Sequence, residues 1–448
     1  MENNKTTNAV EIDTSQIPQD EVITDYQLLF HLQQKIKDDF QNHKIKHNRQ
    51  LYKILHCVKH SKDNGVALYQ YEHQNKSRNL GIKGAIHCHS AFCPICAPYR
   101  MDKYKQLLHS AFKMFEQENK ACIMVTLTIP NSNALDFYQN FSVLKCVLNM
   151  FQMSGTWKLF RKLTNIVASF YSFDVTYGYN GWHPHYHCLF WLDKIWLKEK
   201  KSELEDWEVR LHKVWDKQIW KIINDKFEVR ANDTQPYFET VKKIDKTLYS
   251  ESIKQTYNIN IDYKQIKTDT GFYISKKDNH IINATNSNYF WSATNETTGA
   301  KFKKAKTGHR TIWQLLNDAL FNNDELAWNK WKELVTNSYG LQLYRLQRGL
   351  KQKILQWQEQ HPEDYYEVSK KKSTTETLII WLPKQEWNLL KNYFPSILGD
   401  LSKLLYLKIP LDNIQKALDD ICNLYQIEHS LTYDPYSGTR DKLILSVA

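Results

Sequence analysis

The chain has 448 residues, with 60 Lys and Arg against 49 Asp and Glu, a formal net charge of +11. That length allows two or three domains at about 100–200 residues each, and the positive balance favours anionic partners, nucleic acid first, without separating DNA from RNA or a membrane surface. No stretch approaches ~18 consecutive apolar residues, and the opening MENNKTTNAVEIDTSQ lacks a basic start followed by an apolar core. Neither a membrane span nor a signal peptide is therefore expected. In the cytoplasmic setting that this implies, the eight cysteines are better read as metal ligands and buried small hydrophobes than as a disulfide framework. The 14 Trp, 26 Tyr and 19 Phe offer flat rings on which unpaired bases can stack, although most such rings fill cores.

Residues 1–49 read as a flexible polar leader that becomes helical around DYQLLFHLQQKIKDDF. Residues 50–110 carry Cys57, Cys88, Cys93 and Cys96 and are short of long apolar runs, the pattern of a subdomain stapled by a metal ion. The Cys93-x-x-Cys96 turn can grip one ion, and Cys57 and Cys88 complete the four thiolates that structural zinc prefers; His87 and His89 are possible substitutes. The other four cysteines, Cys122, Cys146, Cys188 and Cys422, sit in apolar surroundings and read as small hydrophobes.

Residues 111–360 hold the largest block of regular structure. YRMDKYKQLLHSAFKMFEQ is spaced as a helix, ACIMVTLTIPN as a buried strand ended by Pro130 and Asn131, and residues 134–165 as helix. IVASFYSFDVTYGYNGWHPHYHCLFWLD reads as a strand, a Gly/Asn turn and a second strand. In that second strand His183, His185 and His187 alternate, so their imidazoles share one face, a ready set of metal ligands. Trp207, Leu211, Trp215 and Ile219 recur at four-residue steps on an amphipathic helix and read as core. TLYSESIKQTYNINIDYKQI suggests a short strand, DTGFYISKK another helix, and two more helices follow at 312–320 and 324–337. After the charged linker SKKKSTTET, residues 378–448 read as a small separate α/β unit of unknown role. Strands separated by helices and hairpins predict an α+β fold with an antiparallel sheet.

IMVTLTIPN, GWHPHYHCLFWL and DTGFYISKK stand in an order that resembles the rolling-circle plasmid replication initiators of the His-hydrophobic-His endonuclease superfamily. CPIC with Arg100, preceded by Cys57 and Cys88, resembles the cysteine-rich segment of one large branch of that family. GHRTIWQLLNDA and WNKWKELVTNSYGLQLYRLQRGLK resemble the segment that follows the tyrosine motif, so the likeness covers roughly residues 50–355.

The resemblance implies a nuclease core with an antiparallel sheet of the RNA-recognition-motif type, flanked by helices. It assigns His185 and His187 to a divalent ion, Mg²⁺ or Mn²⁺, with His183 a candidate third ligand, and Zn²⁺ to the cysteines. It makes Tyr273 the nucleophile, followed by Lys276, and it places Asp269 where the branch often has Glu. Tyr263, Tyr257 and Tyr289 are the rival tyrosines. The implied activity is nicking of single-stranded or extruded origin DNA, with a 5′-phosphotyrosine link and a free 3′ hydroxyl as primer. Implied partners are that DNA, a host helicase and a polymerase. KFKKAKTGHR (301–310) and the C-terminal unit are candidate contact regions, with a solvated charged face as the competing reading. A transposase or relaxase shares the chemistry, and a zinc-containing DNA-binding regulator without catalysis is the alternative of another class.

Overall fold

The computed structural model describes residues 23–44, 48–62, 64–73, 76–223, 246–256, 272–274, 305, 308–338, 341–362, 375–433 and 435–436. Its first helices are α1 (Asp25–Gln41) and α2 (Arg49–Leu55), followed by strands β1 (Val66–Glu72) and β2 (Arg78–Lys83). Helix α3 (Cys96–Gln117) leads into β3 (Lys120–Thr128), α4 (Phe137–Met153) and α5 (Gly155–Leu163). The hairpin of β4 (Ala168–Gly178) and β5 (Gly181–Asp193) is followed by α6 (Lys194–Glu199), α7 (Lys201–Ile223) and α8 (Lys246–Thr256). Then come β6 (Phe272–Ile274), β7 (His309–Thr311), α9 (Ile312–Phe321), α10 (Glu325–Thr336), β8 (Tyr344–Leu346) and α11 (Leu350–Gln360). The chain closes with β9 (Thr375–Leu382), α12 (Lys384–Tyr393), α13 (Ile397–Tyr406) and α14 (Leu411–Leu424).

The expected α+β architecture is present, with antiparallel pairing throughout the described sheets. The larger sheet has six strands in the order β6-β3-β5-β4-β7, and β8 shares the outer edge of β4 with β7. Its centre is the β4–β5 hairpin, paired from Gly178–Gly181 to Ala168–Trp191. Gly181 has φ +82°, and a Cβ there would lie 2.7 Å from the Ser132 carbonyl oxygen, so both the turn and its packing call for glycine.

Alternation along the strands gives the sheet two unlike faces. One face presents Ile123, Val125, Leu127, Phe173, Val175, Phe190 and Leu192 to a large core that includes residues of α4, α5 and α7. Trp157 meets Phe190 there with ring centroids 5.1 Å apart, and the Trp215 indole donates to the Thr128 carbonyl at 2.7 Å. Trp207, Leu211, Trp215 and Ile219 are all buried, as their spacing predicted.

The opposite face is split. At one end Cys122, Ala168, Phe170, Leu189 and Trp191 pack with Leu108, Ala111, Phe112 and Phe115 of α3 and Ile354 and Trp357 of α11. Toward the other end the same rows continue as Thr126 and Thr128, His187, His185 and His183, and Ser172, Asp174 and Thr176.

Two expectations change. The residues 272–274 of DTGFYISKK are not helical; Phe-Tyr-Ile has strand-forming residues and pairs with the edge of β3. In TLYSESIKQTYNINIDYKQI, residues 246–256 are helical, and the remainder lies outside the described residues. The C-terminal unit is also not built apart from the rest. Strand β9 pairs with β1 in a three-stranded sheet ordered β2-β1-β9, so a segment beginning at Thr375 completes the cysteine-bearing region. Hydrogen bonding explains this: without β9, one edge of the buried strand β1 would expose its ladder groups. Among the described residues no helix is long and apolar enough to cross a membrane.

Candidate metal centres

Among the described residues, two groups of donor side chains converge so that all their ligand atoms lie within 4.8 Å of one another: Cys57, Cys88, Cys93 and Cys96, and Asp174, His185 and His187. The cysteines come from three places in the chain. Cys57 follows α2, Cys88 lies in the loop after β2, and Cys93 and Cys96 span the turn that opens α3. The Cys57–Cys96, Cys88–Cys96 and Cys93–Cys57 sulfurs are each 3.6 Å apart. A disulfide would bring two of them to about 2.05 Å, whereas tetrahedral ligation at about 2.3 Å per sulfur separates them by about 3.8 Å. The Cys88 backbone N–H donates to the Cys57 sulfur and the Ser90 N–H to the Cys88 sulfur, both at 3.4 Å, contacts that favour thiolates. Hydrogen bonds from Cys57, Cys88 and Cys93 push the Cys96 thiol well below its usual value, while burial pushes Cys93 up. His87 Nδ1 stands 3.9 Å from the Cys96 sulfur, outside the four-sulfur set. The donor set fits a structural zinc ion.

The second group is assembled by register. His185 lies between Thr128 of β3 and Asp174 of β4, and His187 lies between Thr126 and Ser172. Residues directly opposite one another in an antiparallel sheet project from the same face. Asp174 Oδ1 accepts the Val175 N–H at 2.8 Å, and its Oδ2 stands 3.7 Å from His185 Nε2. His185 Nδ1–H donates to the His183 carbonyl at 3.3 Å, which leaves the Nε2 lone pair on the side of Asp174. His187, 5% exposed, has its Nδ1 3.1 Å from the Thr126 hydroxyl. Such outer contacts fix ring orientation and tautomer in metal sites.

His183 shares the row, but its Nδ1 is 3.2 Å from the Asn131 side-chain oxygen, and it is not among the three converging groups. Asn131 also donates to the Asn180 carbonyl at 2.7 Å, tying the end of the Thr-rich strand to the hairpin turn. Asp174 is the member that sequence reasoning missed. Its alternation with Ser172 and Thr176 in an otherwise aromatic strand was the available signal. Glu333 of α10 accepts from the Trp182 indole at 2.8 Å and from the Phe137 N–H at 2.6 Å, which anchors the entry of β5 to two helices.

Tyr273 occupies a definite register position: it pairs with Thr126, which pairs with His187. Lys276 and Asp269, together with Tyr257, Tyr263, Tyr289 and most of KFKKAKTGHR, lie outside the described residues. The helix expected over DTGFYISKK does not hold across 272–274, because that segment is strand.

Replacing Cys93 with Ser is expected to lower both the melting temperature and the metal content found by elemental analysis, because removing a structural ligand removes folding energy; unchanged metal content contradicts this. Mn²⁺ affinity, followed by the loss of the free-ion paramagnetic resonance signal, should fall at least about tenfold in Asp174→Asn and His187→Ala and stay near wild type in His183→Ala. An equal loss in all three would place His183 among the ligands.

A family model described as "Replication protein" matches residues 79–381 of the chain. No curated protein and no solved structure matches. The match spans both groups of converging side chains except Cys57, both ladders that flank the histidine strand, and strand β9 up to Trp381. With the match extending over more than half of its length, this chain belongs to the replication-protein family, which supports its assignment as a plasmid replication initiator.

Proposed function

We propose that this initiator is a divalent-metal-dependent nicking enzyme of the His-hydrophobic-His class, acting on one strand of its origin with Tyr273 as nucleophile. The observation that carries the reading is the unbroken register row Tyr273–Thr126–His187–Ser172, with His185 and Asp174 two residues along on the same face. It brings a tyrosine position and a two-imidazole, one-carboxylate donor set onto neighbouring strands. Mixed nitrogen and oxygen ligation suits Mn²⁺, and Mg²⁺ with phosphate oxygens completing its shell is the other choice. A bound ion supplies charge to polarise the scissile phosphate and to hold it in line.

The chain's own residues do the rest. Asp174, His185 and His187 would hold a divalent ion, which would supply positive charge beside the scissile phosphate. Thr126 and the His183 carbonyl keep the rings turned inward. In the step itself the Tyr273 oxygen bonds to phosphorus as its proton passes to water. The bond from phosphorus to the 3′ oxygen breaks, and that oxygen takes up a proton to become the primer hydroxyl. The phosphotyrosine ester conserves the bond for later rejoining. Tyrosine is a weak nucleophile near neutral pH because its pKa is near ~10, so the reaction needs charge beside the phosphate. Lys276 and Asp269 are proposed to act beside Tyr273, the first on phosphate and the second in the water-dependent step that ends replication. Zinc at the four cysteines is proposed to be structural. A host helicase and polymerase would take over at the exposed 3′ end.

Tyr273→Phe removes only the attacking oxygen. Incubated with labelled origin oligonucleotide and Mn²⁺, this variant should give no covalent protein–DNA band while binding the origin within a few-fold of wild type. A band of wild-type intensity would move the nucleophile to another tyrosine.

A further inference from the structure

Between the first turns of α3 and the segment that joins β8 to α11 lies a cavity of about 540 Å³. Arg100 and Lys103 line it from α3, and Arg348 and Lys351 from the opposite wall; no Asp or Glu is among its lining residues. Like charges are held close here. The Lys103 ammonium is lowered from its usual value by burial, then by repulsion from Lys351 and Arg100. A fold that gathers cations without an acidic counterpart gains when a polyanion neutralises them.

Rings stand among these charges. Tyr99 is 51% exposed at the rim, and Tyr104 and Tyr344 lie inside with centroids 4.6 Å apart. Tyr344 also links the cavity to the catalytic sheet. It pairs with Ser172, two residues from Asp174 on the same strand. The far side of the same wall, Arg345 to Arg348, borders a second cavity of about 450 Å³ that also contains Arg161. Gly349, at φ +81° with open space around its missing Cβ, sets the turn that presents this wall.

We infer that the Arg100–Lys103–Arg348–Lys351 groove is a binding site for single-stranded DNA, guiding the strand along α3 and past the β8 wall toward the Asp174–His185–His187 group. The inference rests on the nicking reading for its destination, not for its ligand. Cations track phosphates and the exposed Tyr99 ring can accept an unpaired base, a combination that a duplex cannot use in a cavity of small-ligand size.

The test is the anisotropy of a fluorescein-labelled oligothymidylate of roughly twelve nucleotides, titrated with the full-length protein with no Mg²⁺ or Mn²⁺ added and no chelator, so that no cleavage occurs and the cysteine site is left undisturbed. Lys103→Glu and Lys351→Glu should each weaken binding at least about tenfold and reduce the log–log salt slope by about 0.7 for each phosphate that is no longer neutralised. Lys416→Glu, on the exposed side of α14, should bind as wild type. Should Lys103→Glu lower the melting temperature, Lys351→Glu on the separate helix α11 carries the comparison. Groove variants that bind like Lys416→Glu overturn the inference, as does displacement of the oligonucleotide by thymidine monophosphate at equal nucleotide concentration, which would make this a mononucleotide pocket. Loss of binding in the groove variants of a protein that never nicks would refute the nicking reading and leave the groove standing.

Discussion

The pairing register of β5 between β3 and β4 is the constraint on which the rest of the molecule depends. Side chains alternate with period two, so a slip of one residue would send His185 and His187 into the core under α4, α5 and α7 and bring Tyr186 and Cys188 out. The apolar half of the hairpin prevents that slip. Trp191, Leu189 and Phe170 on one face, and Phe190, Tyr171 and Phe173 on the other, each have a buried partner set, so the hydrophobic pattern fixes both faces at once. The polar half inherits its geometry from the apolar half. Asp174 faces His185 because Ala168 faces Trp191 six residues earlier on the same ladder.

The same economy links the cysteines to the sheet. Cys96 begins α3, and the helix then lays Leu108, Ala111, Phe112 and Phe115 onto the face that carries the histidines. Arg100 and Lys103 stand one and two turns beyond the cysteine turn on the same helix. The four sulfurs, drawn from three segments, bring the end of α2, the loop after β2 and the start of α3 to one point. Residues 375–382 close that sheet from the far end of the sequence.

Much of this is legible in the sequence, and the gaps have physical causes. HPHYH and CPIC carry their chemistry in local spacing, and the hairpin that holds the histidines is marked by its alternation and its Gly/Asn turn. Asp174 is different: a lone carboxylate in SFYSFDVTYG becomes a candidate ligand only when the register sets it against His185. His183 is a natural candidate because strand alternation places it in the row, yet alternation says nothing about Asn131, which comes from another strand's end and lies against it. The strand at 272–274 reads as helix in the sequence because a three-residue segment has no period of its own; the open edge of β3 decides it. The pairing of β9 with β1 joins residues more than 290 positions apart, with Glu72 opposite Thr375 at its far end, and no local pattern records such a pairing.

The central claim is that the row from Tyr273 to His187 and the adjoining Asp174–His185 pair form one reaction centre. The most direct measurement is peptide mapping by mass spectrometry of the covalent adduct formed with an origin oligonucleotide. The account predicts a single modified peptide, with the nucleotide mass on Tyr273 and a 5′-phosphate link. Modification of Tyr263 or another tyrosine in place of Tyr273, with the Asp174, His185 and His187 side chains intact, would contradict it.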